Sequence, residues 1–403
     1  MPAPRASAVA IVFIANGLGG PSFLARLPER QSALGLSDAA LGLTLVGMAV
    51  GAMVASPVVG RLVSRVGSRR VVVVAAAGLG ASLWTAGAAP NAPGLFAALA
   101  VVGATDAAMD ISMNANGAAF EDHSGRSVMH GLHGAWSLGA LAAGGIAAAG
   151  AATGVPLTVH LALAGGVIAG SVLLTRSALV GGDAVARVAT GSDRAADGPA
   201  PPAADSGRRL VRPIVILAAA TVGGAVIEGA PSDWSAIQME RLGVAAGVSA
   251  LGYAGFMAGM VAGRFAGDRL TDRFGGAAVL RGGTSLVAMG LLVGIAVNHP
   301  AAFAVGLVLA GLGAAGFFPL AFSAAARTPG VSPGSGAATV SLAARLGFML
   351  EPVLMGALAD LVGLRWAFGL VAGVALLMAA TAYRIIPAAC RPVAVRLADV
   401  REP

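Results

Sequence analysis

The chain has 403 residues, 57% of them hydrophobic and only 11% charged, with a mean hydropathy of +0.83. Soluble domains carry about 25% charged residues, so this composition excludes a water-covered globule and leaves lipid to cover the apolar surface. The formal charge of +7 comes from 26 arginines and no lysine, and no basic run is interleaved with aromatics, which argues against a nucleic-acid partner.

A helix that crosses a ~30 Å hydrocarbon core needs roughly 20 residues. Twelve apolar runs are long enough, at approximately 6–25, 39–60, 71–89, 94–118, 128–150, 156–179, 213–235, 246–267, 277–297, 301–325, 334–358 and 363–386. The first follows Arg5 as a signal peptide would, but it runs on past any small-residue cleavage site, so an uncleaved span is expected. Residues 181–212 are rich in Asp, Arg and Pro without apolar periodicity and read as a cytoplasmic linker. Two bundles are therefore expected, 1–180 and 213–386, followed by a cytoplasmic tail at 387–403. The one cysteine, Cys390, excludes an internal disulfide framework.

Arginine placement gives an orientation. With both termini cytoplasmic, the inner loops hold Arg61, Arg65, Arg69, Arg70, Arg126, the linker arginines, Arg269, Arg273, Arg281 and Arg327. The outer loops hold only Arg26, Arg30, Arg241 and Arg365. An inner-membrane protein with N- and C-termini inside is expected.

A repeat is visible at an offset of 208: Gly47 and Gly51 match Gly255 and Gly259, Arg61-Leu62 matches Arg269-Leu270, and Leu138-Gly139 matches Leu346-Gly347. Two six-helix halves joined by a long loop suit a substrate site between pseudo-symmetric bundles. The glycines at 255, 259 and 263 allow close helix approach.

The loop after span two reads GRLVSRVGSRR and that after span eight DRLTDRFGG. With twelve spans and the repeat, they resemble the loop signature of the major facilitator superfamily, and the resemblance extends over the whole chain. It implies an all-α membrane protein, with twelve transmembrane helices in two pseudo-symmetric six-helix bundles. It also implies a cytoplasmic gate at Arg61, Arg65, Asp272 and Arg273, although Ser64 stands where the first copy of the signature has an acid. Within the superfamily, DAAMDISMNANG, HGLHGAWSLGALAAGG and EGAPSDWSAI resemble a bacterial inner-membrane group loosely related to fucose permeases. Span four lacks the arginine, and span five the Gly-Pro pair, that drug antiporters of the family usually carry.

Ionisable groups inside the apolar spans mark the candidate chemistry, since a charge in hydrocarbon is costly and is kept for a pathway or site. Asp106, Asp110 and Asn114 form one helical stripe. Asp106 lies near midplane, where a carboxylate could take up and release a proton; Asp110 could do the same or be held structurally by Asn114. Glu228 precedes Pro231, where a helix break is expected to line a cavity, and is the third candidate for proton coupling. Asp233 and Trp234 read as an interfacial anchor.

Asn16, Asn114, His133 and Trp136 are candidates for the cavity wall, with interhelical packing as the alternative for Asn16 and His133. Phe317 and Phe318, ahead of Pro319, supply aromatic surface. Arg345 is the arginine placed at midplane depth, so it needs an acid, Asp106 or Glu228, or an anionic substrate group; Glu351 beside Pro352 adds a further acid. His130 and His133, with Glu121, Asp122 and His123 nearby, make a weak metal pattern without a zinc signature, so no metal is expected. No cofactor is expected either.

These residues describe a secondary carrier working by alternating access, a permease or symporter for a small polar solute such as a sugar, with protons and the bilayer as partners and a monomer as the expected state. Proton-antiport efflux of a drug-like compound is the alternative. A non-transporting sensor or enzyme is a third reading, but no nucleophile–base pair converges on one point. The chain has no Walker loop for nucleotide-driven transport.

Overall fold

A computed structural model describes residues 4–125, 128–181, 207–328, 331 and 333–386. The expected linker from 182 to 206 and the tail from 387 lie outside the described residues. Among those described, fourteen α-helices make twelve spans long and apolar enough to cross a membrane.

The first bundle holds α1 (Ala6–Leu24), α2 (Leu27–Leu34), α3 (Asp38–Val66), α4 (Ser68–Ala88), α5 (Ala92–Ser124), α6 (Met129–Ala152) and α7 (Leu157–Thr175). The second holds α8 (Gly207–Arg241), α9 (Ala246–Phe274), α10 (Gly276–Val297), α11 (Pro300–Ala314), α12 (Phe317–Ala326), α13 (Pro333–Val362) and α14 (Leu364–Ile385). Helices α1 and α2 share the first crossing, and α11 and α12 the tenth. Local chemistry sets several starts and stops. The Ser37 side chain caps α3, Asn91 caps α5, and Gly35 ends α2 in the left-handed region at φ 59°.

Several helices outrun the sequence expectation. Helix α9 continues to Phe274 and α5 to Ser124, past the apolar runs that suggested ends near 267 and 118. Pro231 was expected to break span seven, yet α8 is continuous through it. One lost backbone bond is tolerable when neighbouring helices hold the turn.

The 208-residue offset returns as geometry. Gly51 lies against the Ala100 carbonyl, and Gly259 against that of Val308. Gly103 lies against the Met48 carbonyl, and Gly311 against that of Phe256. Gly139 meets Ile14, and Gly347 meets Val222. In each case both partners advance by 208. In lipid there is little hydrophobic drive between helices, so small residues that let backbones touch do the packing.

The bundles meet along two seams, α3 with α13 and α6 with α9. Both are tight at the face opposite the chain ends. There Gly247 sits against Ala148 and Ala152, Gly144 against Tyr253 and Ala254, Gly42 against the Pro352 carbonyl, and Gly356 against that of Asp38. Toward the face carrying the chain ends the α6–α9 seam parts. Gly134 is only in ordinary contact with Phe265, and nothing lies within 4 Å of where a side chain would begin on Gly131 or Gly267. The molecule is closed on the opposite face and cleft on the terminal one.

If close approach holds the bundles, Gly51→Val and Gly259→Val should each destabilise the protein by about 1–3 kcal/mol, read as a lower melting temperature in detergent. Gly170→Val, where nothing lies within 4 Å, should leave melting unchanged.

Candidate functional site

The cleft floor is a polar chain that crosses from one bundle to the other. Asp106, half-buried on α5, accepts from Asn16 Nδ2 on α1 at 2.9 Å, and Asn16 Oδ1 accepts from Trp136 Nε1 on α6 at 2.8 Å. Asn16 is 3% exposed and has no apolar alternative for either end of its amide, so this geometry fixes its orientation. Over the Trp136 ring, 5.8 Å from its centre, lies the guanidinium of Arg264 from α9. Arg264 donates to Ser137 Oγ at 2.6 Å and reaches Glu228 Oε1 on α8 at 3.5 Å. Five of these six residues are polar or charged. They span both bundles.

A second crossing lies on the other seam. Arg345 Nη1 on α13 donates to Ser56 Oγ on α3 at 2.9 Å, and its charge acts on Asp110. The expected partners, Asp106 and Glu228, are engaged elsewhere, by Asn16 and Arg264. Asp110 is exposed and bound by its neighbour: Asn114 Nδ2 donates to its backbone oxygen at 2.9 Å and to Oδ1 at 3.0 Å. The two bridges are symmetry mates. Ser56 and Arg264 differ by 208, as do Ser137 and Arg345, so each seam joins a first-bundle serine to a second-bundle arginine.

Arg264 is the residue that sequence reasoning missed, because Arg345 was taken as the arginine at midplane depth. Ending span eight near 267 put Arg264 at the membrane interface. The helix runs on to Phe274 and carries that position inward. The signal was available in the repeat, as the mate of Ser56.

Other expectations move. Glu351 is 1% exposed and accepts from Trp234 Nε1 at 3.1 Å, so it lies in the second bundle's core and not on the cleft wall. Trp234 is fully buried, not an interfacial anchor. Phe317 is 3% exposed and packs over Gly224, while Phe318 is partly buried and stacks on Phe348 at 5.8 Å. A wall position therefore fits Phe318 better than Phe317. His133 is exposed and meets Phe13 edge-on at 5.5 Å; the His130 side chain lies outside those described. Glu121 accepts from the backbone of Val128 and Met129 and so caps α6. Among the described residues, no group of three His, Cys, Asp or Glu could hold a metal.

The two faces treat their charges differently. On the opposite face Arg241 pairs with Asp38 at 2.5 Å, and the Asp360 carboxylate accepts from the backbone of Asp38 and Ala39 at 2.9 and 3.2 Å. An acid from one bundle thus caps a helix of the other, a contact worth on the order of 0.3–1 kcal/mol. Arg26 binds Glu29 and the Val155 carbonyl, Arg30 the Ala89 carbonyl, and Arg365 that of Ile295. On the terminal face Arg61, Arg65, Asp272 and Arg273 are exposed, and none makes an ion pair among the described residues.

Residues 234–394 match the Major Facilitator Superfamily profile. An MFS-type transporter of Yersinia pestis is 31% identical over 92% of this chain and 93% of its own length. The membrane protein MosC of Rhizobium meliloti is 31% identical over 93% of this chain and 88% of its own. Among solved structures, a D-xylose-proton symporter superposes with a TM-score of 0.75 at 13% identity, covering 94% of this chain and 97% of that one.

Arg264 and Glu228 can be tested as a unit. Arg264→Gln and Glu228→Gln should each lower the melting temperature, and the double change should cost less than the two added, with a coupling of roughly 0.5–3 kcal/mol.

Proposed function

Since the chain belongs to the major facilitator superfamily of non-enzymatic membrane transporters, we propose that it is a proton-coupled importer of a small polar solute, working by alternating access about the central cleft. The supporting observation is the chain Asp106–Asn16–Trp136–Arg264–Glu228, which joins the bundles at the end of a cleft open on one face only. Its donors and acceptors suit hydroxyl or carbonyl groups. Efflux of a drug-like compound calls for a mainly apolar wall, and the residues converging here are polar.

Asp106 is the coupling acid in this reading. Ionised, it holds the Asn16 amide and through it the Trp136 indole. Protonated, it offers a donor of its own, and the Asn16 amide is freed to turn toward a solute. Solute binding and proton binding then share one hydrogen-bond chain, as coupling requires. Asp110, held by Asn114 one turn away, acts on it directly and Glu228 acts through Arg264 and Trp136, while His133 and Phe318 complete the wall.

The terminal face is assigned to the cytoplasm of a bacterial inner membrane, on the positive-inside rule. There Arg61, Arg65 and Arg273 stand exposed without an ion pair among the described residues, whereas Arg26, Arg30, Arg241 and Arg365 opposite are tied to protein oxygens. The form described is then inward-open. In it Arg61, Arg65, Asp272 and Arg273, at the inner ends of α3 and α9, make no ion pair among the described residues, and the Asp38–Arg241–Asp360 cluster holds the outer face shut. The protein acts as a monomer with 1–180 and 213–386 as its moving bodies.

In liposomes carrying a pH gradient and screened against a sugar and metabolite panel, Asp106→Asn should abolish accumulation while leaving downhill exchange. Undiminished accumulation would place coupling elsewhere. With spin labels at Ser32→Cys and Leu361→Cys, the double change Arg241→Gln and Asp360→Asn should lengthen the inter-bundle distance distribution; an unaltered distribution means the cluster is not the outer latch.

A further inference from the structure

Away from the cleft floor, two carboxyl groups meet inside the second bundle. Glu351 on α13 is 1% exposed, and its Oε1 accepts from Trp234 Nε1 at 3.1 Å. Its Oε2 is fully buried with no hydrogen-bond donor aimed at it. Helix α8 closes that side, since a side chain begun on Gly229 would stand 3.1 Å from Oε2. The neighbour within hydrogen-bonding reach is the half-buried carboxyl of Asp233, one residue before Trp234.

Two ionised carboxylates can only accept. With Glu351 buried and Asp233 half-buried beside it, they also repel with little water to screen them. No cation among the described residues pairs with either: Arg264 of α9 is taken up by Glu228 and Ser137, and the other titratable groups nearby are Tyr253 of α9 and Glu228 of α8. A single proton removes both difficulties. It turns one carboxyl into a donor, satisfies the orphaned oxygen and leaves one negative charge where there would be two.

We infer that Asp233 and Glu351 bind one proton between them, forming a proton site separate from the Asp106 chain. The site lies directly behind the closed seam. The residue after Glu351 is Pro352, whose carbonyl packs against Gly42 of α3. Parting this seam moves α13, the helix that holds Glu351, so the pair is placed to exchange its proton when the outer face opens. The inference stands whatever the cargo and whether or not Asp106 couples transport.

The test reads the proton itself, by infrared spectroscopy of the full-length protein in lipid at pH 7, in the carbonyl-stretch region of protonated carboxyl groups. Wild type minus Glu351→Gln, and wild type minus Asp233→Asn, should each show the loss of the same single carboxyl band. Either amide can donate to the remaining carboxylate, which then stays ionised. Asp106→Asn should keep the band, so loss of proton-driven transport in that variant with the band intact separates this site from the coupling proposal. Persistence of the band in either pair variant, or its loss in Asp106→Asn, overturns the assignment. Should Glu351→Gln fold poorly, Asp233→Asn decides alone, because it leaves the Trp234–Glu351 bond in place.

Discussion

A guanidinium inside an apolar bundle has to find oxygen atoms or bring water with it, and that requirement shapes the middle of this molecule. Arg264 lies over an indole, bonds a serine of the other bundle and leans on a carboxylate of its own. None of these contacts alone would hold a charge in hydrocarbon. Together they work only where the bundles meet, so the arginine is stable only if the cleft exists. The cleft in turn has a polar floor because the arginine is there.

Around that centre, glycine packs each bundle and charged side chains help join the two. Backbones touch at Gly51, Gly103 and Gly139 in the first bundle and at their mates in the second, which makes each bundle a stiff body. Between the bodies, the closed face combines the same glycine-on-carbonyl contacts with a small ionic cluster at Asp38. Packing of this kind is firm when made and cheap to part where backbone meets backbone, as at Gly42 and Gly356, with no long side chains interdigitated at those points. Stiff bodies joined along thin seams are suited to rocking about a fixed site.

Much of this could be read from residues alone. Long apolar runs predict twelve spans, and the offset of 208 predicts the paired halves. Polar groups in those runs pointed to Asp106, Asn16 and Trp136, which the fold links in one chain of hydrogen bonds. What stayed hidden was depth and direction. Polar helix ends blur where lipid stops, so span eight was ended near 267 and Arg264 was not singled out. A carboxylate next to proline looks the same whether it faces water or core, and Glu351 turned inward. Trp234 belongs to the core for the same reason: an aromatic near a helix end gives no sign in sequence of whether it meets headgroups or another helix. Pro231 was misread because propensity counts the bond that proline loses and not the neighbours that hold the turn regardless.

The paired bridges, Ser137 with Arg264 and Ser56 with Arg345, have one more implication. Exchanging the halves maps one bridge onto the other, yet both cations belong to the second bundle and both hydroxyls to the first. The duplicated architecture is therefore geometrically even and electrically lopsided: at both bridges the cation comes from the second bundle and the neutral hydroxyl from the first, while the first bundle's carboxylates, Asp106 and Asp110, bond to asparagines instead. In the proposed carrier, a guest that drew both arginines inward would unfasten left and right flanks in one stroke, and the two bodies would tilt about a common axis instead of peeling apart from one edge.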